Sequence, residues 1–325
     1  MEKLNAFIDL FAGIGGFRIA MESAGLQCTF SSEWDKYSQK TYKENFGEEP
    51  AGDITKINEK DIPSHDVLCA GFPCQAFSIS GKQKGFDDTR GTLFFDICRI
   101  AKEKKPKVLF LENVKNLKRH NKGETFKKIV QTLEEMGYNV FHEVLNASYY
   151  GAPTARERVY FVCFRKDLGI TQFKFPPPKN EKVFLKDLLE NDRDLTSYEI
   201  KRDDIKVYKS AEQQSQLRPL QIGTINAGGQ GERIYSTNGH AITLSAYGGG
   251  AASKTGAYMI NGKIRKLTER ECARVMGFPD TFKIPVSKSQ AYKQFGNSVV
   301  VTVLKKITEQ ILTAYYGEEI NGKTS

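Results

Sequence analysis

Residues 6–16, AFIDLFAGIGG, join a short apolar run to a glycine-rich turn. The run has the length and composition of a buried strand, and the glycines permit a tight turn into a following helix. A strand, a glycine-rich turn and a helix in this order begin open α/β folds in which a ligand approaches the bare backbone of the turn. The stretch therefore predicts a domain built on a parallel sheet, with a ligand site at the first turn.

The alternation of apolar runs and amphipathic stretches continues to about residue 165. The predicted strands lie at 6–10, 27–32, 66–70, 107–111, 138–146 and 158–164. The predicted helices lie at 16–24, 36–46, 92–104 and 123–136. This rhythm indicates an α/β domain with a doubly wound, mostly parallel sheet. Because only a short turn around Gly151 and Pro153 separates the last two strands, we expect that edge of the sheet to be antiparallel.

The pattern changes beyond Phe164, where the sequence FPPP at 175–178 forms a stiff connector. Glycines and short β-prone runs between about 210 and 266 predict a small, β-rich unit. Thr268 and Glu271 form a capping box that starts a helix, and an apolar stripe predicts a last helix over 296–315. We therefore expect a first domain at 1–186, an inserted domain at 187–268 and a return to the first domain at 269–325.

Composition narrows the class of protein. The 325 residues are 39% hydrophobic with a net charge of +9. The sequence contains no run of eighteen apolar residues that could span a membrane. The six cysteines and four histidines lack the spacings of a disulfide framework or a metal site, and the N-terminus does not resemble a signal peptide, so we expect a cytoplasmic protein. Eleven Lys or Arg against three Asp or Glu between Arg99 and Lys128 favour a polyanion partner, although a solvated surface would look the same.

Acidic residues near the first turn suggest what it binds. Glu33 lies twenty residues after Gly13, just past the second strand, where a carboxylate accepts ribose hydroxyls. Position 18 is arginine instead of a third glycine, which suits a nucleoside cofactor without a pyrophosphate. Asp53 could accept from an adenine amino group, but a helix-capping acid is equally consistent with its position.

A cysteine and a glutamate end two neighbouring predicted strands. Cys74 lies on the loop CAGFPCQAFS at 69–78, after a buried strand, whereas Cys69 lies inside the apolar run. Cys74 would act as a nucleophile if a cation or a helix dipole lowers its pKa, and an unreactive loop cysteine is the alternative. Glu112 follows the fourth strand. A nucleophile and a carboxyl group at adjacent strand ends indicate addition to an electrophile that is protonated as it is attacked.

Seven motifs, in this order, resemble the motif set of the DNA cytosine-5 methyltransferases. They are FAGIGG at 11–16, EWD at 33–35, GD at 52–53, PCQ at 73–75, ENV at 112–114, RER at 156–158 and QFGNS at 294–298. The set covers nearly the whole chain. Thr154 departs from it, since the family usually has glutamine there. The resemblance implies a class I S-adenosylmethionine-dependent methyltransferase fold with a smaller, β-rich target-recognition domain inserted before the C-terminal helix.

The resemblance also implies residue roles. The catalytic residues would be Cys74, Glu112, Arg156 and Arg158. S-adenosyl-L-methionine, leaving as S-adenosyl-L-homocysteine, would be bound by Phe11, Ala12, Gly13, Gly15, Gly16, Glu33, Trp34, Asp53, Pro73 and Asn297. Double-stranded DNA would be contacted by Ser78, Ser80, Gln230, Arg233, Tyr247, Gly249 and Gly250. No metal and no obligate protein partner is implied, and we expect a monomer.

The implied reaction is methylation of a cytosine that has been flipped out of duplex DNA. Cys74 would add to C6 while Glu112 protonates N3, and the loop 78–90 would close over the base. The stretches GGQGERIYST at 228–237 and AITLSAYGGG at 241–250 resemble those of family members that modify the internal cytosine of GCGC in restriction-modification systems. The alternatives are an RNA cytosine-5 methyltransferase, a noncatalytic nucleic-acid binder and a Rossmann-type oxidoreductase with a catalytic cysteine.

Overall fold

The computed structural model of the protein describes residues 2–73, 93–179, 181–191, 194–208 and 214–317. Within these ranges the first sheet has six strands in the order β2-β1-β3-β4-β6-β5. The strands are β1 (Ala6–Leu10), β2 (Gln27–Ser32), β3 (Val67–Gly71), β4 (Val108–Val114), β5 (Tyr138–Asn146) and β6 (Glu157–Arg165). Strands β1 to β4 pair in parallel, and β6 is antiparallel to β4 and β5. The predicted mostly parallel sheet and its antiparallel edge are confirmed.

Helices cover both faces of this sheet. They include α1 (Gly16–Glu22), α2 (Lys36–Phe46), α3 (Leu93–Lys104) and α4 (Glu124–Glu135), all within two residues of the predicted bounds. Successive side chains of a strand point to opposite faces, so Phe7 of β1 belongs to one buried cluster, and Ile8 and Leu10 belong to another. The sheet is therefore buried on both sides, as its continuous apolar strands require.

Three helices, α5 (Glu269–Val275), α6 (Lys288–Asn297) and α7 (Val301–Tyr316), return the chain to the first sheet. The apolar stripe of α7 is buried in the same cluster as Phe7, as expected. The predicted single helix over 296–315 was wrong at its start, because Ser298 and Val300 have extended backbones that separate α6 from α7. The capping box is confirmed, since Thr268 and Glu271 bond each other's backbone N–H groups at the start of α5.

A second, five-stranded sheet lies between β6 and α5 in the described part of the chain. Its order is β11-β10-β9-β8-β7. The strands are β7 (Ile205–Val207), β8 (Leu220–Ile225), β9 (Arg233–Ser236), β10 (Ala257–Ile260) and β11 (Lys263–Arg265). A small apolar cluster that includes Ile222 and Ile234 supports the sheet. The sheet confirms a β-rich unit in the predicted place, and the domain boundaries at 186 and 268 stay a prediction.

Glu271 connects this second sheet to α5 through a buried ion pair. Its carboxylate accepts both Nη1 and Nη2 of Arg265, each at 2.7 Å, and it also accepts the backbone N–H of Glu190 at 2.9 Å. Removal of one partner from a buried pair leaves an uncompensated charge, so we expect Glu271→Ala to lower the free energy of unfolding by about 3–5 kcal/mol. Glu309→Ala, which removes only an exposed pair with Lys306, should cost no more than about 1 kcal/mol. Urea unfolding checks both values, and equal losses would contradict the assigned role of Glu271.

Candidate active site at the carboxyl edge of the first sheet

The glycine-rich turn after β1 is tightly enclosed. Phe11, Gly13 and Gly15 have φ values of 55°, 56° and 86°, and Ala12 N–H donates to the carbonyl of Ser32 at 2.9 Å. A Cβ at Gly15 would lie 2.2 Å from the ring of Phe46. A Cβ on the next residue, Gly16, would lie 2.4 Å from Val299 Cγ2. A side chain at either position would force Phe46 or Val299 to shift, and the positive φ of Gly15 also favours glycine there.

Glu33 ties the end of β2 to this turn. Its Oε2 accepts the N–H of Gly13 at 2.8 Å, and its Oε1 accepts the N–H of Asp35 at 2.7 Å. Burial raises the pKa of Glu33, and these backbone hydrogen bonds oppose the rise. Each carboxylate oxygen retains a further lone pair that could accept a ligand hydroxyl. Beside it the side chain of Trp34 is 76% exposed, which leaves a large ring available to a ligand.

Asp53 lies at the start of a 3-10 turn, Ile54–Lys56. Its Oδ1 accepts the N–H of Thr55 at 3.1 Å and the hydroxyl of Thr55 at 2.8 Å, and the bond from this hydroxyl is the main cause that lowers the pKa of Asp53. Asp53 thus caps the start of this turn, which is the alternative given above, and its contact with adenine stays a prediction. Pro73 and Asn297, two other expected cofactor residues, are both exposed.

Glu112 is held at the end of β4, opposite Gly71 of β3. It is 7% exposed, and burial raises its pKa while the positive charges of Arg158 and Arg156 oppose the rise. Arg158 Nε lies 2.9 Å from Oε1 of Glu112, but at an angle that makes no hydrogen bond, so Oε1 has no hydrogen-bond partner among the described residues. The site thus presents a buried carboxyl group with unused hydrogen-bonding capacity.

Asn113, also on β4, holds the start of the loop that leads to Cys74. Asn113 Nδ2 donates to the carbonyl of Phe72 at 2.9 Å. Because Phe72 is two residues before Cys74, this bond sets where the loop leaves the sheet. Cys74 itself, Ser78, Ser80 and the expected closing loop 78–90 lie outside the described residues. Cys69 is fully buried, as expected, and burial raises the pKa of its thiol.

The structure separates the two arginines of the RER motif. Arg158 reaches Glu112, whereas the guanidinium of Arg156, which is 3% exposed, contacts three backbone carbonyls. Arg156 donates to Leu244 at 3.2 Å, to Gly296 at 3.1 Å and to Ser298 at 2.6 Å. Burial and the neighbouring charge of Arg158 lower the pKa of Arg156 to about 9. We had expected both arginines at the catalytic centre, and no local pattern in the sequence indicates the carbonyls that surround Arg156.

These contacts belong to a seam where residues 153–156 run beside residues 241–246. Ala241 N–H donates to the carbonyl of Pro153 at 2.7 Å, and Thr243 Oγ1 donates to the carbonyl of Ala155 at 3.3 Å. Thr154 is fully buried there and pairs with Ala241. A small side chain therefore fits at position 154, where the resembling family usually has glutamine.

Two glycine-rich loops of the second sheet come together on its exposed side. Ala252 N–H donates to the carbonyl of Gly231 at 2.8 Å, and a Cβ at Gly250 would lie 2.7 Å from that carbonyl oxygen. The contact brings Gln230 and the exposed Arg233, at the start of β9, next to the loop 248–252. Gly249 lies on this loop in open space, and Tyr247, just before it, is 75% exposed. The expected base-reading residues of the second sheet are thus neighbours.

The basic residues between Arg99 and Lys128 do not form one surface. The end of α3 and the start of β4 lie at the amino edge of the sheet, where Lys107 Nζ is 2.9 Å from Asp66 Oδ1, and Arg99 pairs with Asp96 and Glu59. Residues 115–123 follow β4 at the carboxyl edge, near Glu112. The crossover of the α/β fold places the two halves of the stripe at opposite edges, so only residues from 115 onward lie near the candidate site.

Metal and membrane features are absent from the part of the chain that the structure describes. No group of three or more His, Cys, Asp or Glu side chains there is placed to hold a metal ion. No helix in the same ranges is both long enough and apolar enough to cross a membrane.

Comparisons with known proteins agree on one family. Residues 5–313 match the family described as C-5 cytosine-specific DNA methylase. The chain is 59% identical to the type II methyltransferase M.HhaI of Haemophilus parahaemolyticus, over 94% of this chain and 93% of the relative. It is 48% identical to M1.ScrFI of Lactococcus lactis subsp. cremoris, over 94% and 77%. The crystal structure of the S. pombe Dnmt2 methyltransferase has a TM-score of 0.71 at 20% identity, covering 96% of this chain and 98% of that one, which shows the shared fold.

Gly296 has a packing role that sequence reasoning missed. A Cβ there would lie 2.3 Å from Ala246 N and from Ser245 C, so the segment before α7 touches the backbone of the second sheet's loop. We expect Gly296→Ala to push these segments apart and to lower the free energy of unfolding by about 1–3 kcal/mol. Gly249→Ala, where a Cβ meets open space, is the matched control. Urea unfolding measures both, and an unchanged Gly296→Ala midpoint would show that the seam tolerates the extra methyl group.

Proposed function

This chain belongs to the C-5 cytosine-specific DNA methylase family, and from that premise we propose its cofactor, its target and the roles of its residues. It is a DNA cytosine-5 methyltransferase. We propose that it takes the methyl group from S-adenosyl-L-methionine and transfers it to the internal cytosine of GCGC in duplex DNA. The identity to M.HhaI extends over nearly the whole chain and supports this target. The family match and these relatives give no support to the RNA methyltransferase or oxidoreductase alternatives.

The proposed cofactor site is the cleft between the glycine turn and Glu33. The bare backbone of the turn and the spare lone pairs of Glu33 fit a nucleoside, and Glu33 would accept the ribose hydroxyls. Trp34 would cover one face of the adenine, and Asp53 and Asn297 would lie at the edges. When bound, S-adenosylmethionine supplies an electrophilic methyl group on its sulfonium. A turn without a third glycine suits this cofactor, which has no pyrophosphate to cradle.

The observation that carries the proposed reaction is the buried Glu112 beside Arg158. Cytosine accepts a nucleophile at C6 more readily when its N3 is protonated or strongly hydrogen-bonded. A carboxyl group can donate that proton only in its neutral form, which burial favours. Raising a carboxyl pKa by one unit corresponds to about 1.4 kcal/mol in favour of this form. Arg158 would hold O2 of the base, and the carbonyl of Phe72, which still has a free lone pair, would accept from the exocyclic amine.

Cys74 would supply the nucleophile. Its thiolate forms a bond to C6 while Glu112 gives a proton to N3, which leaves an enamine whose C5 is nucleophilic. C5 would then take the methyl group, and S-adenosyl-L-homocysteine would leave. A base would remove the C5 proton and pass it to solvent, the electron pair would re-form the C5–C6 double bond, and the bond between Cys74 and C6 would break. The N3 proton would return to Glu112 as 5-methylcytosine and the Cys74 thiolate are released, so the protein would end in its starting state.

The target base must leave the duplex first, because stacked neighbours cover C6. We propose that Gln230 fills the gap, with Ser80 from the loop after Cys74, and that Arg233 reads a guanine in the major groove. Tyr247 and the Gly249-Gly250 pair would complete the contacts to the target sequence. The relatives are named type II methyltransferases, so we propose that this protein is the modification enzyme of a bacterial restriction-modification system. We propose further that it acts as a monomer, on DNA in the cytoplasm.

Bisulfite sequencing of plasmid DNA from cells that express the protein tests the activity and the target together. We expect protected cytosines only at the internal position of GCGC, and none in cells that express Cys74→Ala, because the addition to C6 needs the thiolate. Purified wild type should also form a covalent complex with a duplex that carries 5-fluorocytosine at the target. A base can remove a proton from C5 but not a fluorine, so the bond between Cys74 and C6 would persist. Cys28→Ala, at a buried cysteine of β2, is the control that should keep both results. Methylation by Cys74→Ala would contradict the nucleophile, and protection at another sequence would contradict GCGC.

The proposed proton donor predicts a pH profile. Because burial raises the pKa of Glu112, its neutral form persists to a higher pH than that of an ordinary carboxyl group, and methyl transfer should slow as pH rises through that raised pKa. Glu112→Gln cannot give up a proton and should lower the single-turnover rate by about 10²-fold or more, with no alkaline decline. Glu143→Gln, at an exposed carboxyl of β5, is the control. Single-turnover rates from about pH 5 to pH 9 check this, and an alkaline decline that survives in Glu112→Gln would assign it to another group.

A further inference from the structure

A cavity of about 340 Å³ opens beside the second sheet, outside the proposed active site. Its walls come from residues 197–202, from the segment after β11 and from α6, and they include Tyr198, Lys266, Lys288 and Tyr292. The two tyrosine hydroxyls are already engaged, because Tyr198 donates to Glu269 Oε2 at 2.5 Å and Tyr292 donates to the carbonyl of Leu267 at 2.6 Å. The charged groups that line the cavity are the ammonium groups of Lys201, Lys266 and Lys288, the guanidinium of Arg202 and the carboxylate of Glu199.

Three lysines concentrate positive charge here. Lys266 and Lys288 line the cavity, and Lys254 Nζ donates to Ser289 Oγ of α6 at 3.1 Å. None of the three has a carboxylate partner among the described residues, whereas Lys107, Lys263 and other lysines do. Burial lowers the pKa of Lys266, and the charges of Lys254 and Lys288 lower it further. The three ammonium groups repel one another, so an anion between them would relieve the repulsion.

The ring of Tyr198 orients one of these lysines. Lys288 Nζ lies 3.5 Å from the centroid of that ring and 3.3 Å from Ser197 Oγ. The ring attracts the cation without neutralising it, so the full charge stays available to an anion. The nearby Glu199 already pairs with Lys263 at 2.5 Å and faces Lys201 at 3.7 Å. The cavity therefore keeps a net positive charge.

The position of the cavity, next to the loops that we assign to the target sequence, indicates which anion it would bind. Ala251, on the loop 248–252, lines it, and the carbonyl of Lys254 accepts the N–H of Ser245 at 3.0 Å. The cavity is thus beside the loops that we assign to the target sequence. A DNA backbone that leaves those loops carries a phosphate at every nucleotide, and lysine is a common point-charge ligand of phosphate.

We propose that Lys266 and Lys288 bind a DNA backbone phosphate outside the four-base recognition sequence. The proposal rests on the proposed function and extends it, because it assigns affinity without sequence preference to a surface separate from Arg233. The duplex that the protein engages is then longer than its target sequence.

Fluorescence anisotropy with duplexes of two lengths tests this. On a 30-base-pair duplex with a central GCGC, we expect Lys266→Gln to weaken binding about eightfold near 0.1 M salt and to flatten the logarithmic salt dependence by about one. The loss should be equal on a duplex with an altered target, and it should vanish on a short duplex that ends at the recognition sequence. Lys288→Gln should behave in the same way, and melting curves confirm that both variants fold.

Two further variants separate the possible outcomes. Lys306→Gln removes an exposed lysine of α7 that pairs with Glu309, and it should bind like wild type. Arg233→Ala should lose affinity mainly on the GCGC duplex, with the salt dependence nearly unchanged. Unchanged affinity and salt dependence in both Lys266→Gln and Lys288→Gln on the long duplex would overturn the phosphate site. If wild type itself shows no preference for GCGC, the proposed target fails instead, and the phosphate site is judged by the length dependence alone.

Discussion

The guanidinium of Arg156 is the contact on which the arrangement of the site depends. It joins the end of β6, which carries Arg158, to Leu244 of the second sheet and to Gly296 and Ser298 before α7. A buried cation is costly unless its donors are satisfied, and bonds from a charged donor to carbonyls are stronger than those between neutral groups. At a pKa of about 9 the group remains charged near neutral pH, so these bonds keep their full strength. One side chain therefore fixes three segments that carry different parts of the proposed reaction.

The charge of Arg156 also acts on the carboxyl group of Glu112. Glu112 experiences two opposed influences, since burial favours its neutral form and the charges of Arg158 and Arg156 favour its anion. Because both arginines are held by backbone groups as well, with Arg158 donating to the carbonyl of Glu157 at 2.8 Å, neither depends on Glu112 for its place. Glu112 can then change its protonation state during a reaction without releasing the side chains that surround it. That independence suits the proton donation that we propose for Glu112.

Local signals in the sequence were enough to predict the sheet, the glycine turn and the places of Glu33 and Glu112. Each follows from a strand end or from glycines adjacent in sequence, and strand periodicity reports both. The features that were missed depend on partners remote in sequence. Arg156 donates to carbonyls that are 88, 140 and 142 residues away in sequence. The break between α6 and α7 was missed because the apolar pattern of the sequence continues across it. A count along the chain likewise cannot show that a crossover divides the basic residues of 99–128 between two edges of the sheet.

The seam explains how target recognition can vary while the chemistry stays fixed. Several of its contacts to the loop between β9 and β10 run to the backbone of that loop, through the carbonyl of Leu244, the N–H of Ala241 and the backbone of Ser245 and Ala246, while Thr243 contributes its hydroxyl. Backbone groups are present whatever side chains occupy those positions, so the placement of the sheet makes few demands on its sequence. The side chains of Arg233 and Tyr247 are both exposed. With the roles that we propose for them, substitutions at those two positions would change the sequence that is read without moving Glu112 or Arg158, because none of the seam contacts among the described residues passes through their side chains.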